Sequence, residues 1–194
     1  MRNSILLLLL LMSGTTLAWA DTPIKLSHAL DANGEISISN VSGEVTVSGW
    51  DRSEVEVTGS LGEGAKPLKF EGDAQKLSLK VEAKDKSGGW FSWGNTTHMK
   101  PTTLHIKVPA GAGVDIDVVS ANARLQGLKG GKISIDSVSG QVQVQADSPE
   151  VNIDSVSGDV SVTGNAQRID IDHVRGDVHA HRTGDHPTRE SASG

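Results

Sequence analysis

The sequence predicts an all-β protein, a β-solenoid of about 18-residue coils with a less regular N-terminal β cover. Three observations carry this reading. After residue 20 there are 29 Val plus Ile against 9 Leu, and β-branched side chains, stiff at χ1, fit a pleated surface better than a helix. Three consecutive 18-residue blocks, starting at Ile133, Val151 and Ile169, share one pattern of apolar residues. Within each block the apolar residues alternate with period two, the mark of a strand with one buried face. An antiparallel β-sandwich is the alternative class, because strands at this spacing with Gly-rich turns suit it as well.

The chain opens with Arg2, an apolar run from Ile5 to Met12, and Ala18-Trp19-Ala20. This is the pattern of a secretory signal peptide, residues 1–20, cleaved before Asp21. The run of 8 residues is far short of the ~20 that a bilayer core requires. No later segment is apolar enough to span, so no transmembrane segment is expected after cleavage. Export to the periplasm or cell surface follows. Loss of Arg2 takes the formal charge from −6 to −7. With 18 Lys plus Arg against 24 Asp plus Glu and no basic run, nucleic acid is not an expected partner. Cysteine is absent, so no disulfide supplements the core.

Residues 21–194 read as a single β-repeat domain: an irregular part at 21–110, regular coils at 111–186, and a tail or truncated coil at 187–194. In the first part, Ile36, Ile38, Val41, Gly43, Val45 and Val47 form a loose copy of the repeat. Val55-x-Val57, Leu77-x-Leu79-x-Val81 and Leu104-x-Ile106-x-Val108 alternate as strands and are expected to cover the stack. Pro67, Pro101 and Pro109 lie at strand ends, where a missing ladder donor is tolerated. The coils follow. A copy displaced by 19 residues, Val114 to Leu125, precedes the three regular ones. The step of three from Ile135 to Val138 breaks the alternation and predicts a corner that turns Val138 inward beside Ile133, Ile135, Val142 and Val144. Gly140 supplies permissive dihedrals there. One block cannot bury its own apolar face, so neighbours must stack on it in ladders ~4.8 Å apart. At the chain end Ser191-Ala192-Ser193-Gly194 falls in register under Ser155-Val156-Ser157-Gly158. That end reads either as a polar tail or as a coil halted at its corner, whose open edge would self-associate.

The phrases Asn40-Val41-Ser42-Gly43-Glu44-Val45, Ser137-Val138-Ser139-Gly140-Gln141-Val142 and Asp154-Ser155-Val156-Ser157-Gly158-Asp159-Val160 carry a resemblance. The chain resembles a family of bacterial exported proteins of unknown function, named as candidate adhesins, whose members repeat Ser-Val-Ser-Gly-Asp-Val. The resemblance covers most of Asp31 to Gly176. It implies an exported β-repeat fold and a surface-binding role, and it brings no catalytic residues.

Four features suggest chemistry. Asp117, Asp136, Asp154 and Asp172 share one repeat position, so a solenoid stacks them into a carboxylate column able to take a calcium ion; the competing reading is that each accepts a hydrogen bond from its own corner. His179 and His181 share a strand face and, with His173 or His186, form a candidate transition-metal pair; the competing reading is a pair of solvated side chains. Trp90, Phe91 and Trp93 fall in the Gly-rich stretch Ser87 to Asn95 and are either a contact site or a plug on the end of the stack. Arg175-Gly176-Asp177 spells an attachment tripeptide, but the repeat already accounts for its Gly and Asp. No nucleophile elbow, phosphate loop or His-Glu-x-x-His motif occurs, and no cofactor is expected. The sequence therefore predicts a non-catalytic exported envelope protein, an adhesin-like binding or scaffold module for envelope glycan or protein. The alternatives are a self-associating structural solenoid and a glycan-active enzyme that draws paired carboxylates from different coils.

Overall fold

A computed structural model describes residues 22–84 and 99–183. The expected signal peptide at 1–20, the aromatic candidates Trp90, Phe91 and Trp93, His186 and the expected tail or truncated coil at 187–194 lie outside the described residues. Among the described residues all regular elements are strands: β1 (Thr22–Ala29), β2 (Glu35–Trp50), β3 (Glu54–Leu61), β4 (Lys69–Gly72), β5 (Lys76–Val81), β6 (Thr102–Pro109), β7 (Gly113–Lys129), β8 (Ile133–Ser139), β9 (Val142–Asp147), β10 (Glu150–Ser157), β11 (Val160–Gly164), β12 (Arg168–Arg175) and β13 (Val178–Arg182). No helix among them is long and apolar enough to cross a membrane.

The 18-residue offset of the sequence is the pairing register of the strands. Ile133 pairs with Val151 and Val151 with Ile169 along β8, β10 and β12; Val142 pairs with Val160 and Val160 with Val178 along β9, β11 and β13. The looser copies take the same places, Ile36 beside Val114 and Val114 beside Ile133. The offset of 19 between Val114 and Ile133 has a physical origin: the register shifts between Gln126 and Leu128, which leaves Gly127 as one bulged extra residue. All of these pairings are parallel, which sets aside the antiparallel sandwich for residues 113–182.

The N-terminal part pairs differently. β6 lies parallel to the second half of β2, β3 antiparallel to β6, and β1 antiparallel to β3; β5 lies parallel to the first half of β2 and β4 antiparallel to β5. Val55, Val57, Leu77, Leu79, Leu104, Ile106 and Val108 are all buried, as their alternation predicts, and join one apolar cluster that continues to Ala166. Pro101 and Pro109 bracket β6, where neither interrupts the ladder.

One expectation is overturned. Val138 does not turn inward: the alternation set by Ile133 and Ile135 runs on to Ser137, which is buried, and Val138 is half exposed. The corner comes later, across Ser139 and Gly140, and the five-residue step from Ser137 to Val142 accommodates it. The same holds for Val119, Val156 and Val174. Corner chemistry then explains the Ser-Val-Ser-Gly phrase. The hydroxyl of Ser139 donates to the Val119 carbonyl at 3.0 Å, and that of Ser157 to the Val138 carbonyl at 3.3 Å, which ties each corner to the preceding rung.

Candidate functional site

Because the pleat turns Ser137 inward, its two neighbours turn outward. Asp136 and Val138 therefore stand on the same outer face, and the register repeats that arrangement on every rung. Asp117, Asp136, Asp154 and Asp172 are direct neighbours across β7, β8, β10 and β12, and Ser39 and Lys80 continue the row on β2 and β5. Two residues further along each strand, Val119, Val138, Val156 and Val174 make a second row, exposed by 47%, 50%, 51% and 77%. The two rows line a single groove of about 810 Å³ that reaches Val41 at one end and His173 and Val174 at the other.

The carboxylate row is uncompensated. Among the described residues no lysine or arginine is ion-paired with Asp117, Asp136, Asp154 or Asp172; Lys80, at the end of the row, is held by Glu82 at 3.0 Å. Among the described residues the side-chain hydrogen bonds at the corners are made by Ser139, Asn122, Ser157 and Asp159, not by the four aspartates. Burial, and then the neighbouring Asp117 and Asp154 carboxylates, raise the Asp136 carboxyl above the usual aspartate range. Asp115, two residues before Asp117 on the same face, is raised for the same reasons, burial first and Asp117 next. Beneath the groove, Asn40, Val118, Ser137, Ser155 and His173 form the inward row. The hydroxyls of Ser137 and Ser155 are buried without a hydrogen-bond partner among the described residues. His173 places Nε2 2.7 Å from the Gly158 carbonyl oxygen, so its protonated tautomer at that nitrogen donates there.

The other sequence candidates are not brought together. His179 and His181 both lie on β13, opposite Ser161 and Thr163, on an exposed surface. Among the described residues no three His, Asp or Glu side chains converge to hold a metal ion, the carboxylate row included. Val178 and Ala180 keep their repeat positions in register with Val160 and Val162, yet are exposed, since no described strand follows β13 on that side. The valine row is the feature that reading the sequence missed. Its signal was present in the uninterrupted period of Ile133, Ile135 and Ser137, which requires Val138 to face outward.

Comparison with solved structures returns matches at low sequence identity. A protein from Clostridium sporogenes assigned provisionally to cell adhesion superposes with a TM-score of 0.54 at 11% identity, covering 84% of this chain and 100% of its own. A provisionally named adhesin from Bacteroides fragilis gives 0.36 at 11% identity, covering 84% and 98%. A provisionally named lipid-binding protein from Parabacteroides distasonis gives 0.26 at 9% identity, covering 84% and 97%. No curated protein matches the chain. The family model described as Toastrack DUF4097 matches residues 33–183, most of the chain, and the protein therefore belongs to the Toastrack DUF4097 family.

Proposed function

We propose that the chain is an exported, non-catalytic binding module of the cell envelope, a stack of 18-residue β-coils whose working surface is the valine and carboxylate groove. The signal sequence supports export to the periplasm or cell surface, and the provisional adhesion naming of the Clostridium sporogenes structure agrees with a binding role. The observation that carries the reading is the valine row. Val119, Val138 and Val156, each about half exposed, stand side by side on coils whose apolar core positions are buried beneath them, and Val174 continues the row on the last described coil; contiguous exposed apolar surface marks a contact site.

The test is retention of the chain from Asp21 on washed envelopes of its source, compared with the double variant Val138→Ser with Val156→Ser. Loss of retention with an unchanged melting temperature supports the groove as the binding surface. Equal retention refutes it. Intact mass of the protein recovered from the periplasm, beginning at Asp21, tests export.

A second reading has one observation in its favour. Asp136 and Asp154 are paired on adjacent rungs, on strands ~4.8 Å apart, a spacing of the order of the ~5–5.5 Å between the carboxyls of a retaining glycosidase pair, and burial, then the neighbouring carboxylates, raise the Asp136 carboxyl. A glycan-active enzyme would release reducing ends from envelope polysaccharide, and Asp136→Asn would abolish the release. The valine row beside the pair offers a sugar no hydroxyl partner, which favours the non-catalytic reading.

A further inference from the structure

The groove presents two parallel stripes, one apolar and one anionic, repeated rung by rung. We infer that its partner is a basic amphipathic α-helix, laid across the rungs with an apolar stripe on Val119, Val138 and Val156 and cationic side chains on Asp117, Asp136 and Asp154. This inference rests on the groove being the binding surface. Charge complementarity fixes the cationic side, since this carboxylate row has no described counter-ion and Lys80 at its end is engaged by Glu82. Apolar exposure fixes the other side.

Spacing decides the conformation of the partner. The four rungs from Asp117 to Asp172 span three ladder intervals, about 14 Å in all. A helix advances ~5.4 Å per turn and keeps residues three and four apart on one face. Three of its turns cover about 16 Å, so the mismatch over the whole groove is ~2 Å, within the reach of a lysine or arginine side chain. An extended strand laid in the same direction repeats its face every ~6.6 Å and over the same three intervals accumulates a mismatch of ~5 Å. A simple polyamine matches the carboxylates and leaves the valines in water. Along each strand the aspartate and valine rows are two residues apart, ~6.6 Å, which a helix with side chains ~10 Å across spans.

The experiment titrates the chain from Asp21 with a labelled peptide of about fourteen residues, built only of leucine and lysine in helical amphipathic order. The comparison peptide has the same composition in strictly alternating, strand-like order. The helical-order peptide is expected to bind about tenfold tighter than the alternating one and to gain helical circular dichroism on binding. Asp136→Asn with Asp154→Asn, and Val138→Ser with Val156→Ser, are each expected to weaken it about tenfold. All four positions face outward, so the folded state survives both changes, as melting temperatures no lower than the parent's would verify. Equal affinity for the two peptides, unchanged affinity in either double variant, or displacement of the helical peptide by equimolar spermine overturns the inference. If envelope retention depends on the valines but the two peptides bind alike, the helical partner is wrong and the surface reading stands. If retention does not depend on the valines, the surface reading itself falls.

Discussion

Gly158→Ala probes the stacking of the corners. Gly158 has φ of +116°, a left-handed conformation, and a Cβ built on it would lie 2.0 Å from the Gly140 carbonyl oxygen and 2.7 Å from its carbonyl carbon. The clash is with backbone, so relief requires the two rungs to part. Gly140 stands in the same relation to Ala121, and Gly176 to Gly158. Gly130 is the matched control: its φ is +93°, and a Cβ there would meet nothing within 4 Å. Backbone strain of a non-glycine residue at positive φ costs about 1–3 kcal/mol, and it applies at both positions. Forced overpacking adds about 1–3 kcal/mol at Gly158 alone. The expected losses are then about 4 kcal/mol for Gly158→Ala and about 2 kcal/mol for Gly130→Ala. At ~2–4 °C per kcal/mol for a chain of this size, the melting temperature falls by about 8–16 °C in the first and about 4–8 °C in the second. Thermal unfolding followed by far-ultraviolet circular dichroism reads both. A Gly158→Ala variant no less stable than Gly130→Ala would show that the corners are not stacked as described.

Three further outcomes follow from the same geometry. Ser137→Ala removes a buried hydroxyl that has no described partner, and in the same row β7 carries Val118; the variant should gain about 1 kcal/mol and melt ~2–4 °C higher, while a lower melting temperature would mean that the hydroxyl is bonded. Asp136 has a carboxyl raised by burial and then by Asp117 and Asp154, so the folded state binds its proton more tightly than the unfolded chain, and its contribution declines as pH rises through and beyond the usual aspartate range near 4. Asp136→Asn should therefore be more stable than the parent at pH 7, with an advantage that closes on acidification towards that range; a constant advantage at all pH would refute the electrostatic cause. Asp73 is the opposite case, its carboxyl lowered by the backbone hydrogen bonds it accepts from Lys76 and Gln75. Its stabilisation is present at neutral pH and is lost as pH falls through the lowered value, so Asp73→Asn should lower the melting temperature at pH 7 and not below that value.

The register of the regular coils was legible because a repeat that stacks must pair residues one period apart, and Ile133, Val151 and Ile169 state that period directly. Even the single irregular offset reduces to one residue, Gly127. The N-terminal part was legible only as strands. Leu104, Ile106 and Val108 announce a buried strand, but nothing in their spacing says that β6 lies between β3 and β2, parallel to one and antiparallel to the other. Alternation fixes which face of a strand is buried; the neighbour it pairs with is chosen by packing across distant parts of the chain.

The carboxylate row was legible for the same reason as the register, whereas the valine row was not, because an apolar side chain in a strand was assumed to face the core. That rule runs one way: buried positions favour apolar residues, but apolar residues also occupy surface. Position in the pleat decides, and Ser137, small and polar, holds the inward place beside Val138. The consequence bears on function. The corner does not use the valine side chain, since its contacts to the preceding rung are made by Ser139 and Gly140. Threonine would keep the strand propensity there and hydrate better. The aspartates add like charge along the neighbouring row, where burial first and then Asp117 and Asp154 raise the Asp136 carboxyl. Folding alone accounts for neither stripe, yet both recur from β7 to β12. A surface that the fold does not require, and that is costly to leave in water, is where a partner is to be sought.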